Sequence, residues 1–239
     1  MSENISHDLP ELARILGAHP ARLAIWNEGS CAVKTSGNGY RVTNAGANLA
    51  GLTPSETVEL DLAKMTELLA ADAAGEEELA AARISPEESA VPSTDALLYA
   101  YLLGFDGVTL AAHVHPVEIN QITCSPRARQ FADRRSVPNE ITAFGSAMLL
   151  VPYADPGLQL AKEVKRRMLL WRDRYKILPK VVLIHNYGMI VLGNSTGELL
   201  KTIDTTLKAA QVFIGASLLG GPVFLTPNNV THLEPLKEL

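Results

Sequence analysis

The sequence predicts an α/β protein with a central, largely antiparallel sheet covered by helices. Three observations carry this. Strand-like apolar runs and amphipathic helical segments are interspersed along the chain, and such helices need a sheet on which to bury their stripes. The first strand pair is joined through Gly37-Asn38-Gly39, a tight-turn sequence that makes the pair antiparallel and speaks against a doubly wound nucleotide-binding fold. Length and composition, 239 residues of which 47% are hydrophobic and 20% charged, suit one sizeable domain over 1–239 with its own core.

The chain opens on "DLPELARILG", where Leu9, Leu12, Ala13 and Leu16 share one helical face and Gly17 ends the helix. "LAIWNEGSCAVKTSGNGYRVTNAG" reads as strand, turn, strand, and "ETVELDL" as a further short strand. "AADAAGEEELAAARISPEES" is rich in Ala and Glu and short of large apolar residues, so a solvated, partly helical excursion is expected. A helix begins after Pro92, capped by Ser93 or Thr94, with Asp95 in its first turn and Leu97, Leu98, Tyr101 and Leu102 on its buried face. An apolar strand, "VTLAAHVHPVEIN", comes next, then a polar loop, then the buried strand of "SAMLLVPYADPG". A long amphipathic helix spans about Gly157 to Tyr175. "KVVLIHNYGMIVLGNS" is apolar on both sides of Gly188, as two strands meeting at a turn or bulge would be. Ser195 and Glu198 then form a capping box for a last long helix through Ile214.

The formal net charge of −5 and the lack of a basic stripe interleaved with aromatics argue against a nucleic-acid partner and leave a small-molecule substrate, anionic or not. Cys31 and Cys124 belong to no C-x-x-C pattern, so neither a disulfide framework nor a cysteine zinc site is expected. The amino-terminal residues lack a signal-peptide pattern, and no apolar run is long enough to span a bilayer. A cytoplasmic protein without a membrane partner is the expectation.

Chemistry concentrates around "HVHP". On an extended segment, side chains two residues apart share a face, so His113 and His115 stand side by side and can bind one metal ion. His185, near the turn of "LIHNYG", is a third imidazole. Three imidazoles with one open position make a catalytic rather than a structural zinc arrangement, and such an ion acts as a Lewis acid on a carbonyl or an enediolate. Asp95 is the carboxylate available to move protons, although an acid in a helix's first turn is favoured by the helix dipole in any protein.

Taken in order, "GSCAVK", "VTNAG", "VPSTD", "HVHP", "VPYADPG" and "LIHNYGMIVLGNSTGE" resemble the class II aldolase and adducin domain, over about Leu12 to Leu219. The resemblance implies an α/β/α layered fold, usually a homotetramer, with a zinc ion held by the two histidines of H-x-H-P and a third from an N-H-G segment. Those places fall on His113 and His115. At the third, alignment on the glycine puts Tyr187, with His185 two residues earlier; His185 is the favoured ligand, Tyr187 the alternative, and loss of the metal a third outcome. The catalytic carboxylate of P-S-S-E falls on Asp95. The substrate-binding positions fall on Ser30, Ala45 with Gly46, Ser93 and Thr94, a thinner phosphate cradle than the family's; Lys34 is a candidate compensating cation, although a lysine ending a strand is more often simply solvated. The family's carboxy-terminal proton-donating tyrosine has no counterpart, since no tyrosine occurs after Tyr187; His232 is the tail residue of a suitable type, and an exposed histidine is its simpler reading. The activity implied by the resemblance is that of a metal-dependent aldolase-type lyase acting on a small sugar-like hydroxy-carbonyl compound through a metal-stabilised enediolate. An epimerase or decarboxylase using the same site is the alternative, and a metal-free adducin-like interaction module belongs to a different class.

Overall fold

The computed structural model describes residues 8–233; residues 1–7, on which the signal-peptide expectation partly falls, lie outside the described residues. The chain begins with helix α1 (Leu9–Gly17), whose Leu9, Leu12, Ala13 and Leu16 are buried as the periodicity requires. Strands β1 (Ser30–Lys34) and β2 (Gly39–Thr43) pair antiparallel across the glycine turn, and β3 (Thr57–Asp61) adds to β2. Helices α2 (Leu62–Leu68), α3 (Glu76–Ala81) and α4 (Ala96–Leu103) lead to β4 (Leu110–Val114). Three short helices, α5 (Val117–Thr123), α6 (Ala128–Asp133) and α7 (Pro138–Phe144), precede β5 (Leu149–Val151). The long helix α8 (Leu158–Tyr175), strands β6 (Val181–Ile184) and β7 (Gly188–Gly193), α9 (Thr196–Leu218) and α10 (Pro227–Leu233) complete the described chain.

The seven strands lie in the order β3-β2-β1-β4-β7-β6-β5. Every neighbouring pair is antiparallel except β5 and β6, which α8 joins as a parallel crossover. Alternation along the strands sorts side chains to two faces. Cys31, Ala112, Leu183 and Val191 meet α1, α5, α6, α7 and α9 on one face. Ala32, Ala111, Val182 and Ile190 meet α2, α4 and α8 on the other. The result is the layered α/β/α arrangement with two apolar cores.

Four details differ from the sequence-based expectation. The polar stretch after β4 is not a loop but α5, α6 and α7; helices this short carry no readable stripe, and the buried Arg135 between α6 and α7 ties the two by donating to Phe131 O at 3.3 Å and pairing with Glu140 at 3.4 Å. The Ala/Glu excursion is more than solvated chain, because Asp61 N donates to Ala82 O at 2.8 Å and Ile84 N to Glu59 O at 3.0 Å, which covers the exposed edge of β3. Helix α4 is buried nearly all round, so Tyr99 faces the core while Tyr101 turns to the rim against Phe105. Helix α9 continues past Ile214 to Leu218. Among the described residues, no helix is long and apolar enough to cross a membrane.

Candidate active site

Antiparallel register brings the candidate residues to one end of the sheet. Ser30 lies opposite His113, and Val114 lies opposite Met189 next to the β6–β7 turn. The pairing of Ala32 with Val42, continued outward, sets Ser30 level with Asn44, which bridges to Pro92 just before Ser93 and Asp95.

His113 is fully buried on the face that meets α4, and His115, one residue past β4, follows the same parity with 9% exposure. Their rings lie 4.5 Å apart between centroids, the side-by-side placement expected of alternation. Asp95 caps α4 rather than sitting inside its first turn, and its side chain does not cap the helix. Neither Ser93 nor Thr94 is the cap that the sequence suggested: Ser93 lies two residues before the N-cap, and its Oγ accepts from Asp95 N at 3.2 Å, a turn that leads into the helix. The freed carboxylate turns inward, where Oδ2 accepts from Ser30 Oγ at 2.6 Å and from His113 Nδ1 at 3.0 Å. Burial alone would raise this carboxyl's pKa; the facing His113, hydrogen bonds from His113 and Ser30, and the nearby His115 outweigh it and hold the group below its ordinary value.

The hub of the network is Tyr99. Its hydroxyl donates to Ser30 O at 2.9 Å, lies 2.8 Å from Ser30 Oγ and accepts from His113 N at 3.0 Å. Sequence reasoning missed Tyr99, although a residue four positions after Asp95 on a helix shares its face, and that spacing is the available signal.

Acceptor chemistry fixes both tautomers. A carboxylate and a carbonyl only accept, so His113 carries its proton on Nδ1 toward Asp95, and His115 carries its proton on Nδ1 toward Tyr187 O at 2.7 Å. Both Nε2 lone pairs are left over, and the buried atoms His113 Nε2 and Asp95 Oδ1 have no hydrogen-bond partner. Burial and, after it, the neighbouring His113 push the His115 pKa down to about 4, which keeps that imidazole neutral. An imidazole with its Nδ1–H oriented by an acceptor and its Nε2 without a partner is the arrangement in which histidine holds a divalent ion, so the pair fits such an ion with two donors.

Tyr187 stands against this pair, its ring 4.7 Å from His113 and 5.1 Å from His115 between centroids. Burial, then Asp95 and Tyr153, push its pKa up to about 12. His185 is not brought to the pair. Val181 and Leu183 face the α5 side of the sheet, His185 continues their parity, and its Nδ1 donates to Thr123 O at the end of α5 at 2.9 Å. Among the described residues, no three His, Cys, Asp or Glu side chains converge as a cage for a metal ion. Gly188 was legible only as a turn; a Cβ there would lie 2.6 Å from Val114 O and 2.7 Å from His115 Nδ1, so the close approach of turn and histidine requires its bare backbone.

The substrate-binding candidates divide. Ser30 is buried and its hydroxyl is committed to Asp95 and Tyr99. Gly46, in an exposed turn at φ +69°, is carried beside the Pro92–Thr94 segment by Ala45 N donating to Val91 O at 2.8 Å. Ser93 is buried and Thr94 exposed. Lys34 ends β1 at the opposite end of the strand from Ser30, about 13 Å away at the rise of an extended chain, and His232 is exposed on α10.

A mainly antiparallel α/β/α sheet bearing a buried acid–histidine pair at one end defines the class. The family model of the Class II Aldolase and Adducin N-terminal domain matches residues 7–214, and the chain belongs to that family. No curated protein is matched by sequence. Similar solved structures include an L-fuculose 1-phosphate aldolase, 16% identical with TM-score 0.73, covering 98% of this chain and 96% of that one. YgbL of Escherichia coli, described as a putative aldolase/epimerase/decarboxylase, is 17% identical with TM-score 0.70 and coverage of 95% and 96%. The N-terminal class II aldolase domain of a conserved protein from Thermoplasma acidophilum is 20% identical with TM-score 0.67 and coverage of 90% and 100%. At these identities the likeness is one of fold.

Proposed function

We propose that the protein is a metal-dependent lyase of the class II aldolase kind, making or breaking a carbon–carbon bond beside a hydroxyl in a small sugar-like hydroxy-carbonyl compound. The observation that carries this reading is the shared tautomer of His113 and His115, each with Nδ1–H committed to an oxygen and Nε2 left bare. A divalent ion, zinc by the family's habit, would be held by these two imidazoles and would supply Lewis-acid polarisation of a carbonyl. Asp95 exchanges the proton on the carbon beside that carbonyl through Oδ1, the oxygen that no protein group occupies. Its depressed pKa keeps it ionised at neutral pH, as a base must be. Ser30 orients Asp95, while Ser93, Thr94 and the Gly46 turn bind the far end of the substrate, phosphorylated or not. Tyr187, whose ring contacts both histidines, is the candidate third donor. On the same reading the chain is one domain, 1–239, and a cytoplasmic homo-oligomer, a tetramer by family resemblance.

A second reading, a metal-free interaction module, is favoured by one observation: among the described residues no three-donor cage is preformed. The test is turnover of a panel of hydroxy-carbonyl compounds, phosphorylated and free, by zinc-loaded wild type and Asp95→Asn. Release of two carbonyl fragments, reduced about 10²- to 10⁴-fold in the variant, supports the lyase. A stereoisomer or carbon dioxide as product moves the assignment to epimerase or decarboxylase. Absence of both turnover and zinc uptake would leave the interaction module.

A further inference from the structure

We infer that His185 is a positioning residue for His115, acting through the β6–β7 turn. This rests on the reading of His113 and His115 as the metal-holding pair. The turn is closed by Tyr187 N donating to Ile184 O at 3.3 Å, with Asn186 in the left-handed region at φ +58°. The backbone where the turn begins is held to β5 by His185 N donating to Val151 O at 3.0 Å.

The second anchor, and the one that the His185 side chain makes, is the last carbonyl of α5. Thr123 O accepts from His185 Nδ1 at 2.9 Å and from Asn186 N at 3.3 Å. Helix α5 starts at Val117, directly after His115 and Pro116, and Pro116 O accepts from Ile119 N and Asn120 N at 3.1 Å. The loop of interactions therefore closes on itself: His115 leads into α5, α5 ends at Thr123, Thr123 holds His185, and the turn presents Tyr187 O to His115 Nδ1 at 2.7 Å. His185 thus fixes the carbonyl that selects the tautomer of His115. It does so through Nδ1, from the sheet face opposite to that of the pair, so its Nε2 has no part in the arrangement.

Two substitutions separate this from a donor role. His185→Asn keeps an N–H at the place of Nδ1 and removes Nε2. His185→Gln reaches the place of Nε2 and removes the donor at Nδ1. The first readout is the imidazole tautomer of His115 in the metal-free protein, from long-range proton–nitrogen correlation spectra. The second is zinc affinity by competition with a chromophoric chelator, with His113→Ala as the reference for a lost donor.

We expect His185→Asn to keep His115 in the Nδ1–H form and to bind zinc as wild type does. His185→Gln should give mixed tautomers and zinc binding weaker by about 10-fold, the low end of the cost of losing a partner behind a metal-holding histidine, because Tyr187 O is displaced rather than removed. Zinc binding lost in His185→Asn to the level of His113→Ala would make His185 a donor and overturn the inference. An unchanged His115 tautomer in His185→Gln would overturn it as well. If wild type takes up no zinc, the metal reading fails, and the tautomer comparison still decides for or against His185.

Discussion

Replacing Tyr99 by Phe removes one oxygen where α4, β1 and β4 meet, and leaves the ring's shape unchanged. The structure states what is lost: an acceptor for His113 N at 3.0 Å and a donor to Ser30 O at 2.9 Å, both in buried residues. A buried polar group left without its partner costs about 1–3 kcal/mol, and partial relaxation of two such groups gives about 2–3 kcal/mol for the pair. Urea unfolding at fixed protein concentration measures it. With a slope of about 3 kcal/mol/M, the upper end for domains and suited to a chain of this length, the midpoint falls by about 0.7–1 M at unchanged slope. A midpoint within about 0.2 M of wild type would mean that the hydroxyl is not the hub that the distances describe.

The same geometry gives three further expected outcomes. Because folded His115 titrates near 4 and its unfolded form near 6.5, the unfolded chain takes up a proton in that window that the folded chain refuses. Metal-free protein therefore loses about 3 kcal/mol as pH falls from 6.5 to 4, and none of it above 6.5; His115→Gln should decline less steeply in urea midpoint, and parallel declines would count against it. Gly188→Ala forces a methyl to 2.6 Å from Val114 O, an overpacking of about 1–3 kcal/mol, so calorimetry should show a melting temperature lower by about 3–10 °C. Ser195→Ala removes the acceptor for Glu198 N at 3.2 Å and should cost about 1 kcal/mol in urea, with no change in zinc uptake.

Periodicity encodes only local structure, and that limit divides the legible from the hidden. The hairpin, the long helices and the alternation that pairs His113 with His115 are local, and the structure has them where the pattern puts them. The short helices α5, α6 and α7 were hidden, because six or seven residues held by tertiary contacts leave no stripe. Within the candidate site, the inward turn of Asp95 was invisible because an acid at a helix start looks the same whether it caps the helix or faces the core. His185 and Tyr187 share a parity on a straight strand, but the turn at Asn186 breaks it, and alternation is no guide across a left-handed residue.

The position of β4 has a consequence for how the molecule comes into being. Its neighbours are β1, about eighty residues earlier, and β7, about eighty residues later, as the pairs Ala32–Ala111 and Ala112–Val191 record. Contacts of such sequence separation close large loops before they return any stabilisation, which places folding in the slow range for its size. The two histidines sit at that seam, flanked by strands from both halves of the chain. Neither half alone contains both flanking strands, so the His113–His115 pair is assembled only when the two halves of the chain have paired, and any opening of the central strands takes it apart.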